Sequence, residues 1–223
     1  MRSLLLLPAA VLCFAGPAGA AGEAHFATKA DARAGRLTPG PAVRTPLPLE
    51  PDAGGETCGT ATAIAAPLPF TDSDDTTGNV NDVGLLPDGC SNYQIVDGPD
   101  LVYSFTVGAG NSVAFTVTPT SATYDPAIYV LGTCSDASTC VVGADACVRS
   151  GAASQPASCL DGTADEDLPA QSYTAGTHAV FVDSFYAAGA SCSAQGGVQC
   201  GAGPYTLTVT GSLPVHLQRF EVE

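Results

Sequence analysis

The chain has 223 residues, with 7 Lys and Arg against 22 Asp and Glu, giving a formal net charge of −15. That balance excludes nucleic acid and anionic membrane surfaces as partners, since both are held by Lys and Arg displacing counterions. At 45% hydrophobic and 13% charged residues, the chain has the apolar content of a folded core and lacks the signature of a disordered polyelectrolyte.

The first segment, 1–20, reads as a secretory signal peptide. Arg2 is followed by an apolar run over 4–14 and by the small-residue cleavage pattern Ala18-Gly19-Ala20. Pro8 and Pro17 break the run, so no membrane span is expected. Cys13 would suit a lipoprotein, but Leu12 stands where lipid attachment needs a small residue. Residues 21–55 hold Pro39, Pro41, Pro46, Pro48 and Pro51 together with Lys29, Arg33, Arg36 and Arg44, and read as a linker or pro-segment. This basic arm either docks onto the acidic body or stays a solvated tail. Between Thr45 and Gln218 there are 18 acids and one basic residue, Arg149. Most carboxylates there must be solvated, cap turns or hold a cation.

Export decides how the cysteines read. Removal of Cys13 leaves Cys58, Cys90, Cys134, Cys140, Cys147, Cys159, Cys192 and Cys200, an even set that favours disulfides over zinc. Nearest-neighbour pairing (58–90, 134–140, 147–159, 192–200) is expected, because each pair brackets a loop between strands.

From Cys58 onward, alternating or β-branched segments are separated by Gly, Pro, Asp and Ser clusters, which predicts an all-β sandwich or barrel. The strongest strands cover 101–107, 112–118, 127–131, 178–182 and 205–210. Weaker ones cover 68–71, 79–83, 141–142 and 215–222. Gly108-Ala-Gly-Asn111 is expected to close a hairpin.

The succession Glu56-Thr-Cys-Gly-Thr-Ala61, Asp100-Leu-Val-Tyr-Ser-Phe-Thr106, Tyr124-Asp-Pro-Ala-Ile-Tyr-Val-Leu-Gly-Thr-Cys134, Ala175-Gly-Thr-His-Ala-Val-Phe-Val-Asp183 and Gly203-Pro-Tyr-Thr-Leu-Thr-Val209 resembles the bacterial pre-peptidase C-terminal domain. The resemblance covers 56–211 and implies a jelly-roll-like antiparallel β-sandwich of about eight strands, here disulfide-stapled. Members accompany secreted peptidases, and relatives bind collagen or polysaccharide, some with calcium. No peptidase domain precedes the module here, so the resemblance implies fold and export more firmly than activity. Residues 212–223, beginning Ser212-Leu-Pro-Val-His216, are expected to add an edge strand, form a tail or start a sorting segment.

Three acidic groups have the oxygen density that calcium requires. Asp72, Asp74 and Asp75 are followed by Asn79, Asn81 and Asp82. Asp97 and Asp100 flank a turn. Asp165-Glu166-Asp167 follows Cys159. The family resemblance implies a structural calcium held by Glu56, Asp97 and Asp100, with Glu50 and Asp52 as further candidates. Solvation or turn capping is the competing account of each group.

Catalysis finds little support. His178 lies in an alternating strand, and a triad with Asp183 would need a distant Ser; no GxSxG or HExxH motif is present. Trp, the usual carbohydrate platform, is absent. Among aromatics at loop positions (Tyr93, Tyr124, Phe185, Tyr186), Phe185 and Tyr186 are the candidates for an exposed ligand contact, with core packing as the competing account. The expected protein is an exported non-catalytic module binding an extracellular matrix, polysaccharide or envelope component, located in the periplasm, at the surface or outside the cell. The alternative is a propeptide-like module that assists a separate secreted enzyme.

Overall fold

The computed structural model describes residues 55–145, 164–192 and 198–214, apart from the side chains of 191, 192 and 198. It also places a short backbone ladder between β1 (Ala24–His25) and β2 (Thr38–Pro39). The remaining strands are β3 (Thr62–Ile64), β4 (Phe70–Asp75), β5 (Leu101–Val107), β6 (Ser112–Pro119), β7 (Ala127–Leu131), β8 (Cys140–Ala144), β9 (Glu166–Ser172), β10 (Gly176–Asp183), β11 (Ser191–Cys192), β12 (Val198–Gln199) and β13 (Pro204–Gly211). One 3-10 turn, Ala137–Thr139, interrupts them. The all-β sandwich expected from the alternation is the observed fold. Two sheets face each other, in orders β3-β5-β10-β7-β8 and β4-β13-β6-β9. All pairings are antiparallel except β3 against β5.

The two sheets differ in a way their sequences explain. β6 and β13 alternate buried and partly exposed residues, so only one face of their sheet is covered. β7 and most of β10 are continuous apolar runs, buried on both faces. Leu101, Tyr103, Phe105, Val107, Ile128, Val130, Val180 and Val182 face the other sheet and meet Val113, Phe115, Val117, Leu207 and Val209 there. The Phe105 and Phe115 rings meet edge to face at 5.0 Å. Val102, Ala127, Tyr129, Leu131, Ala179 and Phe181 point the other way, and residues 76–100 lie across them through Leu86, Cys90 and Val96. The molecule therefore has a third layer: a long loop laid on the outer face of the five-stranded sheet.

A disulfide helps hold that layer down, in a pairing the cysteine spacing does not suggest. Cys58 joins Cys134 and Cys90 joins Cys140, with Cα separations of 5.8 and 5.9 Å. The nearest-neighbour pairs 58–90 and 134–140 are thereby corrected. The Cys90–Cys140 bridge ties the covering loop to β8, and the Cys58–Cys134 bridge ties the segment before β3 to the turn after β7. Cys200 is also disulfide-bonded. The expected pairs 147–159 and 192–200 involve side chains outside the described residues.

Three local expectations change. The turn at Gly108–Asn111 is closed by Asn111 N–H donating to the Gly108 carbonyl at 3.2 Å, with Gly110 at φ 83°. It joins β5 to β6, which lie in different sheets, so it is a corner between sheets rather than a hairpin. Residues 79–83 belong to the covering loop and not to a strand, while β3 and β9 are strands the alternation does not reveal. The expected strand 215–222 lies outside the described residues.

Candidate functional site

Two of the three acidic groups lie on sheet edges. Asp72, Asp74 and Asp75 are in β4, and Glu166 and Asp167 are in β9, the two edge strands of the four-stranded sheet. Charged residues on an edge deter pairing with other chains, and Pro169 within β9 removes a further ladder donor. Their carboxylates are used locally. Asp72 Oδ2 accepts from the Tyr103 hydroxyl at 3.1 Å, Asp75 Oδ1 from Thr77 N–H at 2.8 Å, and Asp167 Oδ1 from the Thr116 hydroxyl at 2.7 Å. These acids therefore lie on edge strands and not in the loops expected for them.

The remaining acids converge on the covering loop. Glu56 Oε1 accepts from Val80 N–H at 2.7 Å, and Asp100 Oδ2 accepts from Asp82 N–H at 2.9 Å and Val83 N–H at 3.2 Å. Asn79 and Asn81 brace the same loop through the Asp100 and Val96 carbonyls. Asp97 Oδ1 lies beside Gly84. Burial pushes the Asp100 carboxyl up to about 7, with the neighbouring charges of Asp82 and Glu56 acting in the same direction. Asp100 Oδ1 is buried and makes no hydrogen bond.

Asp183, weighed from sequence only as a triad partner, belongs to this acidic centre. Its Oδ1 accepts from Ser184 N–H at 2.6 Å and its Oδ2 from the Tyr129 hydroxyl at 2.9 Å. Burial holds its pKa well above the usual carboxylate range, and the charges of Asp100 and Asp145 add to this. The available signal was a carboxylate ending the apolar run Ala179-Val-Phe-Val182, where both strand faces are covered. Among the described residues, no three His, Cys, Asp or Glu side chains form a preformed metal cage.

His178 and Asp183 are separated by strand parity. His178 faces the core, with Nε2 on the Thr174 carbonyl at 2.8 Å and its ring stacked on Phe105 at 5.5 Å. Asp183 faces the covering loop, and no triad can include both. His216 lies outside the described residues. Phe185 and Tyr186 are 2% and 6% exposed and pack with Tyr93, Ile95 and Cys200. Phe185 meets the Tyr93 ring at 5.3 Å. The expectation of an exposed aromatic contact is corrected: these rings fasten a loop rather than offering a face.

Two surfaces remain open. One is a cleft of about 440 Å³ between Thr57-Cys58-Gly59, residues 82–85 and the Cys134–Ala137 turn, floored by Phe181. Leu85 projects from its wall and is 63% exposed. The other is the outer face of the four-stranded sheet, where the register aligns Thr71, Thr208, Thr116 and Asp167 in one row and Ser73, Thr206 and Thr118 in the next. The strands carrying these rows are roughly 4.7–4.9 Å apart, and within the rows the Ser73 and Thr206 hydroxyls meet at 2.9 Å while the Thr116 hydroxyl donates to Asp167 at 2.7 Å.

No family model and no curated protein matches this chain. A comparison with solved structures matches the pre-peptidase C-terminal domain of collagenase from Bacillus anthracis at 14% identity and a TM-score of 0.35, over 67% of this chain and 94% of that one.

Proposed function

We propose that the protein is an exported, non-catalytic module that attaches to an extracellular polymer through the outer face of its four-stranded sheet. The observation that carries this is the pair of aligned hydroxyl rows, a regular array of donors and acceptors suited to a regular polymer such as a polysaccharide or a matrix fibre. The disulfides fit an oxidising compartment. Mature protein should be retained on at least one of insoluble chitin, cellulose, collagen fibres or cell envelope. Replacing the exposed Thr71 and Thr118 with Lys weakens retention about tenfold, on the scale of a few lost polar contacts. Failure to bind any of these supports, or binding indifferent to both substitutions, overturns the reading.

Calcium serves a structural role in this proposal. Asp100 fits the ion: it is fully buried, and one carboxylate oxygen makes no hydrogen bond. Glu56 and Asp82 lie close enough to raise its pKa, and Asp97 flanks the same loop. A cation there would neutralise like charges that no Lys or Arg offsets among the described residues. Calcium binds the folded state and raises the melting temperature by mass action. Asp100→Asn removes that response, and an identical scan in millimolar calcium and in chelator overturns the role.

A further inference from the structure

We propose that the cleft beside the Cys58–Cys134 bridge is the docking groove for the chain's own basic segment, residues 26–49. Fifteen carboxylates and no Lys or Arg occur among the described residues of the body. Any polypeptide cation that neutralises the cleft rim, where Asp82 forms part of the wall and Asp136 lies in the turn opposite, must come from elsewhere. Residues 26–49 carry Lys29, Arg33, Arg36 and Arg44 against one acid, Asp31.

Connection reinforces charge. Thr57, Cys58 and Gly59 are themselves cleft wall, so the segment is tethered at the groove. Arg44 stands eleven residues before Gly55, a reach of up to about 40 Å of extended chain. A tether of this length places the segment at an effective concentration on the order of millimolar, so weak contacts suffice. The apolar contacts are available on both sides. Val43, Leu47 and Leu49 alternate with Pro46 and Pro48, whose fixed φ lowers the ordering cost. Exposed Leu85, with Val83 and Phe181, offers the matching surface. The arm thus covers the largest exposed apolar side chain of the described body and neutralises its acidic rim.

Trypsin tests this on the full mature chain, because the only other Lys or Arg residues there are Arg149 and Arg219. Docking predicts that cleavage after Arg44 is about tenfold slower in the native chain than in a Leu85→Ser variant of unchanged melting temperature, following the population of the undocked state. About 0.5 M salt narrows the difference by screening the charges. A second readout uses the Leu85 methyl resonances, which shift in Arg36→Ala, Arg44→Ala protein when the arm is displaced. Equal cleavage rates, or Leu85 resonances indifferent to the arm substitutions, overturn the proposal. Leu85 shifts that depend on protein concentration instead assign the groove to a second copy and overturn it as well.

Discussion

The backbone N–H of Asp82 donates to Asp100 Oδ2 at 2.9 Å, so the covering loop is tied at its exit to a point 18 residues earlier in the chain. This bond fixes the loop across the sheet and, because Asp100 is fully buried, places a titratable group beneath it.

That placement sets a pH dependence. The folded Asp100 carboxyl titrates at about 7 against an ordinary value of 3.8, and Asp183 is displaced in the same direction. Between those values the folded state holds a proton that the unfolded chain has lost. The associated stability is complete below about 3.8 and is lost as pH rises through about 7. In chelator, the melting temperature therefore falls between pH 5 and pH 8, and Asp100→Asn flattens the profile. A melting temperature that rises over this interval, or a slope unchanged in the variant, contradicts the assignment.

Closing loops of 76 and 50 residues restrains the unfolded chain by an amount the chain-entropy argument puts at about 4 kcal/mol each, taken separately. The loops overlap, so the second bridge closes a chain the first has already shortened. Cys58→Ala with Cys134→Ala should cost about 2–4 kcal/mol in urea unfolding, and loss of both bridges should cost more than the sum of the two single-pair losses, because either bridge left alone still restrains much of the same chain. Peptide mapping of the unreduced protein should recover 58 with 134 and 90 with 140. Recovery of 58 with 90 would refute the layered arrangement.

The Tyr103 and Tyr205 hydroxyls meet at 2.8 Å across the two sheets, and Asp72 accepts from Tyr103 at 3.1 Å. Burial raises the pKa of both phenols, so both stay neutral at ordinary pH. Tyr205→Phe loses one link of this chain and should cost about 1 kcal/mol. Tyr103→Phe removes the middle link, leaves the buried Tyr205 hydroxyl without that partner and should cost about 1–3 kcal/mol. Urea midpoints with unchanged m-values measure both. Equal costs would show that Tyr103 is not the central link.

Legibility followed the physics of burial. β6 and β13 were readable because one covered face leaves a clean alternation, as in Val113-Ala-Phe-Thr-Val117 and Tyr205-Thr-Leu-Thr-Val209. β9 was hidden because its acids and Pro169, the features that suit an edge strand, are also the marks of a loop. The corner at Gly108–Asn111 looked like a hairpin since a tight turn satisfies its own hydrogen bonds whether the strands it joins pair or part. Of the acidic centre, Glu56, Asp82, Asp97 and Asp100 were legible as carboxylates near turns. Asp183 joins them only because β10 runs beneath the loop.

Local pattern by itself determined the strand periods, the two-sheet class and the separation of a basic arm from an acidic body, since each depends on neighbours a few residues apart. Tertiary structure alone decided which cysteines pair, which acids share a site and whether Phe185 and Tyr186 see solvent. Those outcomes depend on one loop crossing the outer face of one sheet, a contact between residues far apart in the chain, which neither periodicity nor spacing encodes.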